Sequence, residues 1–205
     1  MGVALPDLWP RFSRTRRIRW AAVRAARPRV PRTANLRAGL LNHVAADRRF
    51  HALTCFQVWQ RQIKAAATHD DAHPLVLDFL AHVAVELALD HRLVCTDRLA
   101  PDRFYDLLSA CELDQVEQRV GVLADVNARG LAPVIRAFIA RRFLRRYVSP
   151  AALVVVLRRV LRLTTVATGA PDDLLERIVQ HTIELADPAA VWGAMKGTDR
   201  CAAAG

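Results

Sequence analysis

The sequence predicts an all-α protein, a single irregular bundle of about eight to ten helices that spans residues 1–205. Hydrophobic residues make up 53% of the chain, which is enough for a substantial core. Apolar positions recur with the 3.6-residue period of a helix in most segments. The one β-like run, residues 153–157, lies inside such a helical pattern, so no strand is expected.

The first half of the chain predicts four helices. A short helix covers residues 18–23 and ends before Pro28, because proline cannot continue a helix. Helical periodicity then covers residues 34–51 and 53–67. A polar loop, residues 68–74, follows, and its final proline opens the next helix in a favourable first-turn position.

The second half of the chain predicts five more helices. They cover residues 102–111, 114–127, 131–147, 150–166 and 171–186. Pro150 and Pro171 mark the starts of the last two, and Gly130 and Gly169 mark joints between segments. No internal repeat is present. At 205 residues the chain is expected to form one large helical domain, with two small domains as the less favoured alternative.

The charge of the chain predicts an anionic partner. Thirty Lys and Arg against twenty Asp and Glu give a formal net charge of +10 and an isoelectric point near 10.8. Ten arginines lie within residues 11–37, and eight more lie within residues 136–162. Each cluster is either a solvated surface or a docking patch for an acidic partner.

The cysteines and the apolar runs predict a cytoplasmic protein. The four cysteines are widely spaced without a CxxC pair, which argues against a zinc knuckle and is typical of reduced thiols. The longest purely apolar run, residues 151–157, is far shorter than the ~20 residues needed to cross a bilayer. The first residues lack the pattern of a signal peptide.

Two stripes of acidic residues and histidines are the candidate functional feature. In residues 75–91 the polar positions recur at every fourth residue: Asp78, His82, Glu86 and Asp90. Upstream the same spacing gives His43, Asp47 and His51. Residues four apart share one face of a helix, and neither stripe contains Lys or Arg. Asp78 is expected at the solvent-facing end.

A divalent cation is the interpretation that we favour for these stripes. Carboxylates on a mostly apolar helix need a counter-charge, and carboxylate oxygens and imidazole nitrogens suit Mn²⁺, Mg²⁺, Fe or Zn²⁺. A helix rises ~12 Å over eight residues, so one ion cannot contact both ends of a triad. Two ions ~3.5–4 Å apart, or one ion held by four of the six residues, remain open. The alternative is a narrow solvent-facing edge.

Short motifs resemble one known family. They are Gly39-x3-His43-x3-Asp47 and then Glu86-x3-Asp90-His91. This pattern resembles the acyl carrier protein phosphodiesterases, helical proteins distantly similar to the HD phosphohydrolases. The segment GVALPD, residues 2–7, resembles the early Gly-Asn-x3-Asp turn of that family, which adds Asp7 as a candidate ligand. The resemblance covers roughly residues 2–110.

The resemblance implies an HD-like fold and hydrolysis of the phosphodiester that links 4′-phosphopantetheine to a serine of acyl carrier protein, a reaction of lipid metabolism. It implies Mn²⁺ or a similar ion, and an acidic carrier protein or a smaller phosphodiester as the partner. Together with the stripes it indicates Asp47, Glu86 and Asp90 as catalytic residues. The expected metal ligands are His43, Asp47, His51, His82, Glu86, Asp90 and Asp7. A non-catalytic basic module that binds nucleic acid or an acidic protein, and a phospholipase-like or nucleotide phosphohydrolase, are the alternatives.

The chain departs from the family pattern at several positions. His51 stands where the family usually has Asp, and Leu53 where it has His. His82 replaces a Gly, and Glu86 replaces an Asp. Each stripe keeps three plausible ligands, so a remodelled site is expected rather than a lost one. The family also carries an earlier amino-terminal segment with a His, and its absence before residue 2 predicts a truncated gene start or an incomplete site.

Overall fold

The computed structural model describes residues 1–67, 73–162 and 171–197. Every regular element in these ranges is helical, which confirms the all-α prediction. The α-helices are α1 (Leu5–Phe12), α2 (Trp20–Ala25), α3 (Pro31–His51), α4 (Thr54–Ala66), α5 (Pro74–Thr96), α6 (Ala100–Ser109), α7 (Leu113–Ala124), α8 (Leu131–Arg141), α9 (Pro150–Leu161), α10 (Asp172–Leu185) and α11 (Pro188–Met195). A 3-10 helix covers Phe143–Val148. Within the described ranges, no helix is both long enough and apolar enough to cross a membrane.

The structure differs from the predicted elements at three places. The sequence did not predict α1 or α11, each of which has only eight residues. The predicted helix over residues 131–147 is interrupted at Arg142, which adopts a left-handed backbone with φ of 40° and separates α8 from the 3-10 helix. Most of the predicted loop at residues 68–74, and the end of the helix predicted to reach residue 166, lie outside the described residues.

The chain divides into two compact units. Unit 1 contains residues 1–48 and 101–143, and unit 2 contains residues 49–100 and 144–205. One division falls inside α3, between Arg48 and Arg49. The expectation of a single domain stays a prediction.

Helix α5 is the centre of unit 2. It packs against α4, α9 and α10, so it is covered on several sides. A helix surrounded in this way must be apolar around most of its circumference, which explains why its sequence has so few polar positions. Its buried residues are Val76, Leu77, Leu80, Ala81, Ala84, Val85, Leu87, Ala88, Leu89, His91 and Val94.

Unit 1 has its own core. In it α7 packs against α8 and α2, and α8 packs against α1. Tyr105, Leu131 and Ile135 are fully buried there. The Arg142 guanidinium bonds the carboxylates of Asp102, at 3.0 Å, and Asp106, at 2.9 Å. These two bonds fix the side chain of Arg142, the residue that follows the end of α8.

A close backbone contact joins the start of the chain to α3 within unit 1. A Cβ placed on Gly39 would lie 2.9 Å from the Cα of Gly2 and 3.0 Å from the backbone nitrogen of Val3. Real Cβ atoms do not approach backbone atoms this closely, so only glycine fits unless the two segments separate. This contact gives a physical reason for the glycine of the Gly39-x3-His43 motif.

Replacing Gly39 with Ala is expected to destabilise the protein by about 1–2 kcal/mol, because the added methyl group overpacks the contact with Gly2 at a cost of about 2–3 kcal/mol. The better helix propensity of Ala, about 1 kcal/mol, offsets only part of this cost. Urea unfolding followed by circular dichroism measures the change. Gly121→Ala is the matched control, since its Cβ would meet its nearest neighbour only at 3.3 Å. Equal effects of the two substitutions would contradict the role of the close contact.

Candidate metal centre

Three of the predicted ligands meet in unit 2. The Nε2 atom of His51 lies 3.1 Å from Oε1 of Glu86, and the Nε2 atom of His82 lies 3.2 Å from the same oxygen. One nitrogen from each histidine and one oxygen of the carboxylate all lie within 4.8 Å of one another. Each predicted stripe therefore contributes to one cluster, which we call the His-His-Glu cluster.

The local sequence explains how the cluster is positioned. His82 and Glu86 are one turn apart on α5, so their side chains share a face. His51 is the last residue of α3, and the chain then turns into α4. The Phe56 side chain on α4 is 1% exposed, and its ring centroid lies 5.0 Å from that of His51 and 5.3 Å from that of His82. The buried ring thus forms a wall against both imidazoles.

The electrostatics of the cluster favour an ionised Glu86. Burial raises the pKa of the carboxyl, but the hydrogen bonds and the charge interactions with His82 and His51 together outweigh it. The net pKa of Glu86 therefore lies below its ordinary value. The side chains of His51, His82 and Glu86 are 28%, 37% and 43% exposed, so the cluster is only partly covered.

The donor set fits a divalent transition metal. Metal–nitrogen and metal–oxygen distances of ~2.0–2.2 Å place neighbouring ligand atoms roughly 2.8–3.6 Å apart in octahedral or tetrahedral geometry. The two nitrogen–oxygen distances, 3.1 and 3.2 Å, fall in that range. Two histidines and one carboxylate occur in zinc hydrolases and in non-haem iron sites, where the remaining positions take water or substrate. The same atoms also make two ordinary hydrogen bonds, which link the end of α3 to α5.

The other predicted ligands lie elsewhere in the two units. Asp90 is exposed on α5, one turn beyond Glu86. In unit 1 Asp47 is exposed, while the Nε2 atom of His43 lies 3.6 Å from Oδ1 of Asp7. The structure thus brings together two more of the predicted ligands, Asp7 and His43. The roles of these four residues as metal ligands stay predictions.

Two further polar residues of α5 have structural contacts. Asp78 is exposed, as expected, and its Oδ1 atom accepts a 2.6 Å hydrogen bond from Lys64. His91 is buried, and its Nδ1–H donates to the Tyr147 carbonyl oxygen at 2.6 Å. That bond satisfies one buried polar atom of the ring and ties α5 to the 3-10 helix. His91 is therefore part of the unit 2 core.

Sequence reasoning missed the role of Phe56. Its helical spacing with Trp59 and Ile63 indicates only that all three belong to a core face. Nothing in that spacing shows that the ring faces two histidines from other helices. A possible signal is the short distance along the chain between Phe56 and His51, but it does not fix a contact.

Comparison with known proteins does not assign the chain to a family. No family model matches the chain, and no curated protein or solved structure matches it either. The resemblance to the acyl carrier protein phosphodiesterases therefore rests on the short motifs around His43 and Glu86.

Proposed function

We propose that this chain is a divalent-metal-dependent phosphodiester hydrolase, with the His-His-Glu cluster as its metal ligands. The observation that supports the proposal is the approach of two imidazole Nε2 atoms to one oxygen of Glu86, at 3.1 and 3.2 Å. The substrate class comes from the sequence motifs alone. It is a phosphodiester such as the 4′-phosphopantetheine linkage of holo-acyl carrier protein.

A divalent ion bound there would supply Lewis acidity toward a phosphoryl oxygen and lower the pKa of a coordinated water. Glu86 contributes an anionic oxygen, since a glutamate carboxyl is ionised at neutral pH. His51 and His82 can bind through Nε2 only as neutral rings without a proton on that nitrogen, so metal binding releases protons or moves them to Nδ1. The Phe56 ring packs against both imidazoles, and in this proposal the contact keeps Nε2 of each ring directed at Glu86.

One exposed carboxylate of unit 2 is the proposed proton carrier. Asp90 follows Glu86 by one helical turn and is accessible to solvent, so it can accept a proton from an attacking water in this proposal. Asp47 is assigned a catalytic role on the sequence pattern alone. Of the two, Asp90 shares unit 2 with the His-His-Glu cluster.

Hydrolysis by metal-loaded protein tests the proposal. The protein is treated with a chelator, loaded with Mn²⁺ or Zn²⁺, and assayed on bis(p-nitrophenyl) phosphate, holo-acyl carrier protein, a phospholipid and a nucleotide. His82→Ala is expected to lower the rate by about 100-fold or more, because it removes a metal ligand. Asp78→Asn is the matched control on the same helix, and it should leave the rate unchanged.

Two outcomes would overturn the proposal. One is turnover in His82→Ala at the rate of the unsubstituted protein. The other is the absence of turnover on every substrate while the protein holds its metal, which would leave a metal-binding protein without this activity. Turnover confined to the phospholipid or the nucleotide would keep the cluster and replace the carrier-protein substrate.

A further inference from the structure

The positive charge of the chain is concentrated in unit 1. Unit 1 contains seventeen arginines, no lysine and eight acidic residues, a formal charge of +9. Unit 2 contains eleven arginines, two lysines and twelve acidic residues, a formal charge of +1. Unit 1 therefore carries nine of the ten net positive charges of the chain. This concentration indicates a localised surface for an anionic partner.

The arginine segment, residues 13–30, is fixed within unit 1 by contacts of its own and neighbouring arginines. Hydrogen bonds from arginines hold it: Arg19 to the Asp125 carboxylate at 2.5 Å, Arg16 to the Asn127 carbonyl at 3.3 Å, and Arg37 to the Val23 carbonyl at 2.8 Å, among others. Arg27 also donates to three successive carbonyls at the end of α2. These arginines have structural roles, which the count of arginines alone could not show.

Four other arginines of the segment are available to an anionic partner. Arg14, Arg17, Arg24 and Arg29 are exposed, and none of them forms an ion pair with a carboxylate among the described residues. The segment around them is held in place, so four unneutralised guanidinium groups are presented on an ordered backbone. An anion that neutralises them displaces no internal salt bridge.

The exposed side chains of the arginine segment favour a partner rich in phosphate groups over a protein partner. Seven of the exposed residues between positions 14 and 30 are arginines, and Val30 is the one large hydrophobic side chain exposed there. Protein–protein interfaces, in which Arg is enriched, also have an apolar centre that includes aromatic residues and Met. Interfaces with nucleic acid are more polar and much more positive. Guanidinium groups also bind phosphate through two parallel hydrogen bonds.

We propose that the arginine segment of unit 1 binds the sugar-phosphate backbone of a nucleic acid, without reading its base sequence. The proposal goes beyond the hydrolase function and does not depend on it, because binding requires no metal and uses none of the His-His-Glu residues. It also predicts where binding is lost: at Arg14, Arg17, Arg24 and Arg29, and not at the arginines of unit 2.

Fluorescence anisotropy with a labelled DNA duplex of about 20 base pairs, in EDTA and over a series of salt concentrations, tests the proposal. Each phosphate contact contributes about 0.9 to the slope of log affinity against log salt. Replacing Arg14, Arg17, Arg24 and Arg29 with Gln is therefore expected to reduce that slope by about 3–4 and to weaken binding at low salt at least tenfold. A labelled single strand and an RNA of the same length are tested in parallel.

A matched variant separates this surface from net charge. Arg61, Arg98, Arg159 and Arg162 are exposed residues of unit 2, and replacing them with Gln removes the same charge. This variant is expected to keep the slope of the unsubstituted protein. Because Arg14 and Arg17 lie outside the helices, Arg14→Gln with Arg17→Gln serves as a second variant, with half the effect, should the fourfold one unfold.

Three results would overturn the proposal. The first is no binding to duplex, single strand or RNA at 50 mM salt, where phosphate contacts are strong. The second is an equal loss of binding in the unit 1 and unit 2 variants. The third is displacement by polyglutamate as effective, per charge, as displacement by unlabelled nucleic acid, which would favour an acidic protein as the partner.

Discussion

Replacing Glu86 with Gln is expected to weaken the binding of Mn²⁺ or Zn²⁺ by about 100-fold or more. The substitution removes the anionic oxygen on which both Nε2 atoms converge. It keeps the size of the side chain and leaves an amide oxygen that can still accept hydrogen bonds from His51 and His82. The structural role of Glu86 is therefore preserved while its role as a metal ligand is lost.

Calorimetric titration of chelator-treated protein measures this effect, with thermal unfolding as the check on the fold. Asp78→Asn is the control, because Asp78 bonds Lys64 and lies outside the cluster. Asp90→Asn shows whether the exposed carboxylate one turn away is an additional ligand. Metal affinity that is unchanged in Glu86→Gln would mean that the cluster serves only to link α3 to α5.

Replacing Phe56 with Ala is expected to destabilise the protein by about 3–5 kcal/mol, the usual effect of removing a buried aromatic ring. The side chain is 1% exposed, and its ring lies 4.7 Å from that of Phe50 as well as against the two histidines. The cavity left behind also frees the imidazoles of His51 and His82. Metal affinity of the folded protein should therefore fall together with stability.

Urea unfolding in EDTA measures the change in stability without any contribution from bound metal. Phe56→Leu is the matched variant, because it retains most of the volume and should destabilise by less than about 1.5 kcal/mol. If the ring orients the histidines, metal affinity falls in Phe56→Leu by more than the small loss of stability accounts for. A loss below 1 kcal/mol in Phe56→Ala would show that the ring is not part of the core.

The helices of this fold can be predicted from the sequence wherever apolar periodicity extends over several turns. Helix α5 is the clearest example, and Pro74 marks its start. Helix α1 is hidden because it is short and contains an internal proline, Pro10. The end of α8 could not be predicted from the sequence for a different reason. Arg142 adopts a left-handed backbone while its side chain bonds two carboxylates, and this combination depends on tertiary structure.

Only part of the candidate site could be predicted from the sequence, for a similar reason. The pairing of His82 with Glu86 follows from their spacing on one helix. The approach of His51 to them depends on how the end of α3 packs in unit 2, which a four-residue rhythm does not encode. The same limit applies to the arginines of residues 11–37. The sequence shows their number, whereas which of them bond to other parts of the protein depends on carbonyls and carboxylates supplied by other segments.

The discontinuity of the two units has a consequence for the chain during its synthesis. Helix α5 leaves the ribosome before α9 and α10, which cover it in unit 2, and all of residues 101–143 of unit 1 are made in between. Helix α10 begins 76 residues after α5 ends. At translation rates of about 5–20 residues per second, that interval lasts about 4–15 s. A nascent chain thus carries an apolar helix that only α4 can cover while residues 101–143 are made, and an exposed apolar face of this kind favours aggregation and capture by chaperones.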